Sequence, residues 1–367
     1  MNNEILLFIP AIENGGVEKN FLWLTKKLKN RNYNFKILYY YSNNSNFMKY
    51  FADNSLKTKF FNSNFFKKNR IMQSLICSLN LFLYLLKNKT SLVISFQSNL
   101  FAIPPCKILN VPLIIRISNH FSVSKYEKSP IRKMSEFFKF KLYKYAGKIV
   151  CISKQIEDDF KQKSGSNTTC IYNPVTQYPN YEKKVNKKLS ILTIGRLCTQ
   201  KNFETAICAM ELLKKKKIDF ELNIIGEGYK KSELNEMVKN KNLSEEVKFL
   251  GYQSNSNKFL ATADLYLQTS LYEGFCNSIA EAVSMQVPVI STDCKSGPKE
   301  ILVYGEGGTL VPIRDYKEIA KQIENFINDK KIFINKSKNA YSNLKLFDDT
   351  LIENKYLELI DSFIYEK

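Results

Sequence analysis

Residues 263–292 read "ADLYLQTSLYEGFCNSIAEAVSMQVPVIST". The first seven residues are an apolar, β-prone run that predicts a strand, and "VPVIST" at 287–292 predicts a second. Between them, from Ser270 to Ala282, a turn gives way to a helical pattern. Strand, crossover helix and strand make a βαβ unit, which requires a parallel sheet. Two carboxylates, Glu273 and Glu281, flank the turn eight residues apart in a chain rich in lysine.

The rhythm extends outward from this stretch. Strands are predicted at 189–197, 220–226, 247–252, 263–269 and 287–292, with helices at 202–216 and 230–241 among them. The first half repeats the pattern at 4–9, 33–40, 92–96, 113–118, 148–152 and 169–172. The polar stretch "NPVTQYPNYEKKVNKK" (173–188) holds two prolines and breaks it. A linker there divides the 367 residues into two Rossmann-like domains, residues 1–175 and 189–345. Residues 346–367 form a C-terminal helix that packs back on the first domain. Ligands of open α/β sheets bind outside the carboxyl ends of the strands. The loops after strands therefore carry the functional reading.

Charge is unevenly spread. Residues 1–180 hold 27 Lys and Arg against 9 Asp and Glu, a surplus of 18; residues 181–367 hold 28 against 26. The first half is built to meet something anionic. Eight cysteines include no Cys-x-x-Cys pair, and several lie in apolar runs. They read as reduced, buried thiols of a cytosolic protein. "MNNEILLFIP" reads as a first strand and not a signal peptide. Residues 71–86 are apolar but interrupted by Gln73, Ser74, Ser78 and Asn80, and fall short of the ~20 residues of a span. They predict an amphipathic helix over a sheet.

Four motifs carry candidate chemistry. In "IGRLCTQKNFETA", Arg196 closes a strand and Lys201 stands next to a helix start. Such cations suit a diphosphate, the guanidinium as a fork and the ammonium as a point charge; two solvated loop charges are the plainer alternative. In the opening stretch, Glu273 and Glu281 suit sugar and ribose hydroxyls, and the amides near Phe275, Cys276 and Asn277 open a helix that favours an anion. Alternatively, "SIAE" is a capping box with Ser278 as cap and Glu281 as its partner, and Glu273 is an exposed loop acid. "NGGVEKN" (14–20) puts Gly15 and Gly16 at a helix start, where a backbone can approach a ligand or simply turn. The single histidine, His120 in "PLIIRISNHFS", follows a strand. One histidine rules out a multi-histidine metal cluster, and no Asp-x-Asp occurs to hold a metal on phosphates.

In order and spacing these motifs resemble glycosyltransferase family 4, a retaining group with the GT-B fold of two Rossmann-like domains facing across a cleft. "EGFCNSIAEAVSMQVPVIS" is similar to that family's Glu-Gly-Phe motif with its second Glu, except that Gln286 stands where the family has Gly. "IGRLCTQKN", "GEG" (226–228) with "VKFLGY", and "GGVE" match its other motifs. "SGPKEIL" (296–302) resembles the branch that builds bacterial surface polysaccharides, such as O-antigen, and lipid-linked oligosaccharides.

The resemblance implies a hexosyl- or N-acetylhexosaminyltransferase with a nucleotide sugar, leaning to UDP, as co-substrate. It implies no metal and no other cofactor. Glu273 and Gly274 would meet the donor sugar, Glu281 the ribose, and Arg196 and Lys201 the diphosphate. Tyr252 and Gln253 would meet the base, with Gly15 and Gly16 closing over the phosphates. His120 would stand near the transferred sugar, with Arg116 and Asn119 on the acceptor side. A polyprenyl-diphosphate-linked glycan in an anionic bilayer would draw the basic first half, at ~1 kcal/mol per cation near the surface. The segments 59–70, with Lys67, Lys68 and Arg70, and 124–148 mix cations with aromatics. A cytoplasmic protein held peripherally on the inner face of the plasma membrane is the expectation. A nucleic-acid binder would be basic too but has no use for an acidic pair at strand ends. A sugar-nucleotide epimerase of the same fold is the nearer rival.

Overall fold

The computed structural model describes residues 4–12, 15–42, 55–57, 70–120, 140–176 and 187–365. The chain divides into two compact units: Met1–Asn173 with Thr350–Lys367, and Pro174–Asp349.

The first unit is built on a parallel sheet of β1 (Glu4–Phe8), β2 (Phe35–Tyr39), β3 (Ser55–Lys57), β4 (Thr90–Ser95), β5 (Leu113–Ile117), β6 (Lys148–Cys151) and β7 (Thr168–Cys170). Their order is β3-β2-β1-β4-β5-β6-β7. All five residues of β1 are buried, as expected of a central parallel strand covered on both faces. Helices α1 (Gly16–Asn30), α2 (Arg70–Lys87) and α3 (Lys154–Ser164) serve the crossovers. A two-residue pairing joins Ala11–Ile12 to Tyr41–Ser42.

The second unit orders β8 (Leu189–Ile194), β9 (Phe220–Ile225), β10 (Val247–Gly251), β11 (Leu265–Gln268), β12 (Val289–Thr292) and β13 (Thr309–Val311) as β10-β9-β8-β11-β12-β13. This is the Rossmann order, with direction reversing between β8 and β11. Helices α4 (Phe203–Lys215), α5 (Lys231–Asn240), α6 (Asn277–Ser284), α7 (Tyr316–Asn328) and α8 (Lys330–Asn343) accompany the strands. Phe203, Ile207, Met210 and Leu213 of α4 share one core with Ile191, Leu222, Leu265 and Ile290 of the sheet.

The last helix, α9 (Asp349–Ile364), enters the first unit. Its Ile352, Tyr356, Ile360 and Ile364 join the core of β1 and α1. Glu353 takes Lys27 at 2.7 Å and Arg31 at 2.8 Å, and Asp361 accepts from the Tyr33 hydroxyl at 2.7 Å.

The two sheets are the ones the sequence predicts, with two differences of detail. β3 and β13, three residues each, lack a run long enough to read. Helix α2 is not cleanly amphipathic. It buries Gln73 and Ser74 beside Ile76, Cys77, Leu81 and Leu85, while Ile71, Leu75, Leu79, Leu83 and Leu86 stay exposed. Lys67 and Lys68, and residues 124–139 of the second basic segment, lie outside the described residues; Arg70 opens α2.

Candidate functional site

The switch point of the second sheet lies between β8 and β11, and the loops leaving these strands carry Arg196, Lys201 and Glu273. The loops are tied together. Leu271 N donates to Gln200 O at 2.8 Å, Gln200 Nε2 donates to Tyr272 O at 2.9 Å, and Thr269 Oγ1 donates to Lys201 O at 3.0 Å.

Glu273 is buried, not an exposed loop acid. Its Oε1 accepts from Lys201 Nζ at 2.6 Å, Ser270 Oγ at 2.6 Å and Gln268 Nε2 at 2.8 Å. The three donors converge on one oxygen, so the carboxylate is held in place, and none of these three bonds uses Oε2. Burial by itself would lower the Lys201 pKa, but the Glu273 carboxylate more than offsets this and holds it above the ordinary lysine value. Lys201 is therefore no isolated phosphate cation: its charge is already paired. Arg196 differs. It is exposed, and among the described residues its guanidinium pairs with no carboxylate.

The Arg196 loop rests on the Gly-Glu-Gly turn after β9. Gly195 N donates to Ile225 O at 2.9 Å, Leu197 N to Glu227 O at 3.0 Å, and Lys230 N to Leu197 O at 3.1 Å. A β carbon on Gly226, at φ +144°, would lie 1.9 Å from Gly195 O, and one on Gly228 would lie 2.2 Å from Leu197 O. Only glycine allows this approach.

After Glu273, Gly274 O accepts from Ser296 Oγ at 2.6 Å, and Phe275 packs edge-on against Phe347 at 5.1 Å. Cys276 takes a left-handed φ of 72° and turns the chain into α6, which begins at Asn277. Burial, then the nearby Glu273 charge, pushes the Cys276 thiol up to about 12, so it stays protonated. Ser278 lies inside the helix and does not cap it, so the capping-box reading of Glu281 fails. Glu281 Oε2 accepts instead from Ser256 Oγ at 3.3 Å, on the loop after β10. On that loop Tyr252 is exposed and Gln253 Nε2 donates to Leu250 O at 2.7 Å.

The first unit places its candidates separately. Gly15 precedes α1 without a side-chain cap. A β carbon there would meet Glu18 Oε2 at 2.4 Å, and Glu18 Oε1 accepts from Gln97 Nε2, at the end of β4, at 2.6 Å. Gly16 is the first residue of α1, and its carbonyl accepts from Asn20 Nδ2 at 2.8 Å. Asn119 is exposed. Arg116, expected on the acceptor side, is buried in β5. It donates to Asn173 Oδ1 at 2.5 Å and Tyr356 Oη at 3.1 Å and lies over the Phe96 ring, so its described contacts are those of the fold. His120 is buried, with Nε2 2.7 Å from Asp159 Oδ2.

Sequence reasoning missed Gln268, Ser270, Ser256 and Asp159. Gln268 had a signal, as a polar residue ending a buried strand next to the acid it binds. Ser256 and Asp159 had none, since only the tertiary fold brings them to Glu281 and His120.

Residues 176–345 match the family model described as "Glycosyl transferases group 1". The second unit is a group 1 glycosyl transferase domain. Among curated proteins, an uncharacterized glycosyltransferase of Methanocaldococcus jannaschii is 32% identical over 53% of this chain and 51% of its own length. The N-acetylgalactosamine-N,N'-diacetylbacillosaminyl-diphospho-undecaprenol 4-alpha-N-acetylgalactosaminyltransferase of Campylobacter jejuni is 34% identical over 46% of each chain. The chain thus spans about half the length of these relatives. Anabaena Alr3699/HepE, solved in complex with UDP and glucose, superposes with a TM-score of 0.77 over 98% of this chain and 100% of its own, at 18% identity. The fold of the chain is GT-B, two Rossmann-like domains in one chain.

Proposed function

We propose that this protein is a retaining, metal-independent glycosyltransferase. It moves a hexosyl or N-acetylhexosaminyl group from a UDP-sugar to a growing surface glycan carried on a polyprenyl diphosphate. The observation that carries the reading is Glu273, buried at the switch point with Oε1 held by three donors and Oε2 outside those three bonds. Such an acceptor suits the hydroxyls of a sugar. The C. jejuni relative, named for a diphospho-undecaprenol substrate, supports the acceptor, and the UDP and glucose bound by HepE support the donor.

In this reading Glu273 orients the donor sugar and Glu281 holds the ribose diol. Tyr252 and Gln253 flank the base. The amides about Gly274, Phe275, Cys276 and Asn277 start α6 and favour the phosphates. When the sugar leaves, the bonding electrons stay with the diphosphate, and negative charge grows there. Arg196 neutralises it directly, while Lys201 keeps Glu273 in place and adds positive potential. No metal is assigned, because Arg196 carries the positive charge for the diphosphate and no Asp-x-Asp occurs to hold a metal there. In the first unit, Gly15 and Gly16 are assigned to the phosphates, His120 to the transfer step, and Asn119 to the acceptor side. The chain works peripherally at the cytoplasmic face of an anionic membrane. The basic surplus of the first half and the exposed leucines of α2 support this.

The test is UDP release from a panel of UDP-, GDP- and ADP-sugars, with and without a polyprenyl-diphosphate-linked acceptor, in EDTA. UDP released with acceptor and chelator present, and an α-linked product from an α-linked donor, is expected. Turnover lost in EDTA and restored by Mg²⁺ or Mn²⁺ would overturn metal independence. Turnover of a GDP-sugar alone would overturn the UDP assignment.

A further inference from the structure

His120 is the only histidine of the chain. It lies three residues beyond β5, is 2% exposed, and has Nε2 2.7 Å from Asp159 Oδ2. Asp159 stands on α3, a well-braced helix. Ser153 Oγ caps it by accepting from Ile156 N, and Gly165 ends it in a left-handed turn. Ile156 and Phe160 anchor its inner face, with Phe160 edge-on to Phe140 and Tyr143. Asp159 is thus held on a fixed helical turn beside the ring.

Among the described residues, the other charges of α3 and β5 are engaged elsewhere. Glu157 is bound by Lys154 at 2.7 Å and Lys161 at 2.8 Å, and Asp158 lies 4.0 Å from Lys154 at the surface. Lys163, four residues after Asp159 and well spaced for a helical ion pair, lies over the Phe140 ring. On β5, the Arg116 guanidinium is bonded to Asn173 and Tyr356. Among the described residues, the partner of the Asp159 carboxylate is His120.

We infer that Asp159 is a positioning residue for His120, fixing the ring and keeping a proton on Nε2, so that any further bond of the imidazole is made through Nδ1. A carboxylate on one ring nitrogen sets the tautomer and orientation of the other. The inference rests on the assignment of His120 to the transfer step.

Because the chain has one histidine, its two ring nitrogens can be read by NMR without ambiguity. Asp159→Asn, nearly isosteric, should change the imidazole's tautomer signals, because an amide no longer holds the proton on Nε2. It should cut kcat roughly ten-fold with donor KM within about two-fold, the split of a residue acting on the transfer step. In a His120→Ala background it should cost nothing further, and Asp159→Glu should recover part of the loss. Unmoved tautomer signals would overturn the pairing. A kcat loss that persists fully in the His120→Ala background would overturn the positioning role. So would full turnover in both single variants, which would also remove His120 from the chemistry. Absence of sugar transfer by the wild type would refute the proposed activity instead, and leaves the tautomer signals as a test of the pair.

Discussion

The Lys201 ammonium lies 2.6 Å from Glu273 Oε1, across 72 positions of sequence. The two residues stand on different loops, after β8 and β11, and meet because those strands are neighbours at the switch point. Both side chains are largely withdrawn from solvent. Removing one partner strands a charge, at a cost of about 3–5 kcal/mol for a buried pair. Lys201→Met should therefore lower the unfolding free energy by roughly that amount in urea titrations. Lys201→Met with Glu273→Gln should cost less than the sum of the single changes, and strict additivity would show that the pair is not coupled. The Lys201 pKa is raised, so its contribution is complete below the unfolded lysine value of ~10.4 and fades only as pH climbs through the higher folded one. The difference in stability between wild type and Lys201→Met should stay level from about pH 6 to 9.

Gly226 sets the position of the loop that carries Arg196. An alanine methyl would fall 1.9 Å from Gly195 O, at a φ of +144° that side chains rarely adopt. Backbone and not a flexible side chain blocks it, so the Arg196 loop must move. Gly226→Ala should lose more than about 1 kcal/mol of stability and weaken UDP binding together. Calorimetric titration with UDP and thermal melting check this. Normal values for both would mean that the turn tolerates a side chain.

Glu281 is assigned to the donor ribose and is no helix cap. Glu281→Ala should raise donor KM more than it lowers kcat, because a ribose contact is made alike in the ground and transition states. A charge-assisted contact is worth roughly 1.5–3 kcal/mol, about ten-fold or more in KM. Ser256→Ala should act in the same direction but more weakly, through the 3.3 Å hydrogen bond to Glu281. A melting temperature that drops while KM holds would return Glu281 to a structural role.

The fold was legible because parallel strands buried on both faces leave continuous apolar runs, as in "EILLF" and "LSILTI". The predicted strands run past their true ends by one to three residues, at Ile9, Phe96, Ile152 and Leu197. These residues are buried at 0–3% exposure, and Ile9 and Phe96 still donate to the neighbouring strand, to Leu38 O and Phe8 O at 3.1 Å each. Burial runs on past the regular strand into the loop, and hydrophobicity reports only burial. The same limit applies at the site. Arg196, Lys201 and Glu273 could be named from strand-end position, but the Lys201–Glu273 pair required knowing that β8 and β11 are adjacent. Asp159 sits in "KQIEDDFKQK" as one charge among many. Arg116 next to Asn119 and His120 reads as one polar cluster, yet strand alternation turns its side chain into the core.

Helix α2 sharpens the expectation of membrane contact. Ile71, Leu75, Leu79, Leu83 and Leu86 follow one another at four, four, four and three residues, which is a single helical face, and all are exposed. The opposite face is committed to the first unit, where Ser74 Oγ donates to Ser98 Oγ at 2.7 Å and Ser78 Oγ to Phe101 O at 2.6 Å. Among the described residues no helix is long and apolar enough to cross a membrane. Attachment through this face would therefore be interfacial, with leucines at the acyl boundary and cations among anionic headgroups. The two contributions separate by salt, because exposed charge is screened within ~10 Å at 0.1 M while apolar burial is not. Changing Lys67, Lys68 and Arg70 to Glu should abolish the salt-sensitive part of flotation with anionic liposomes. Changing Leu75, Leu79 and Leu83 to Ser should weaken flotation at low and high salt alike. UDP binding should survive both sets, since Arg196, Glu273 and Glu281 belong to the other unit. Equal flotation with neutral and anionic lipid would remove the cations from the account. No flotation at all would leave the leucine face without a membrane role and shift the acceptor toward a soluble glycan.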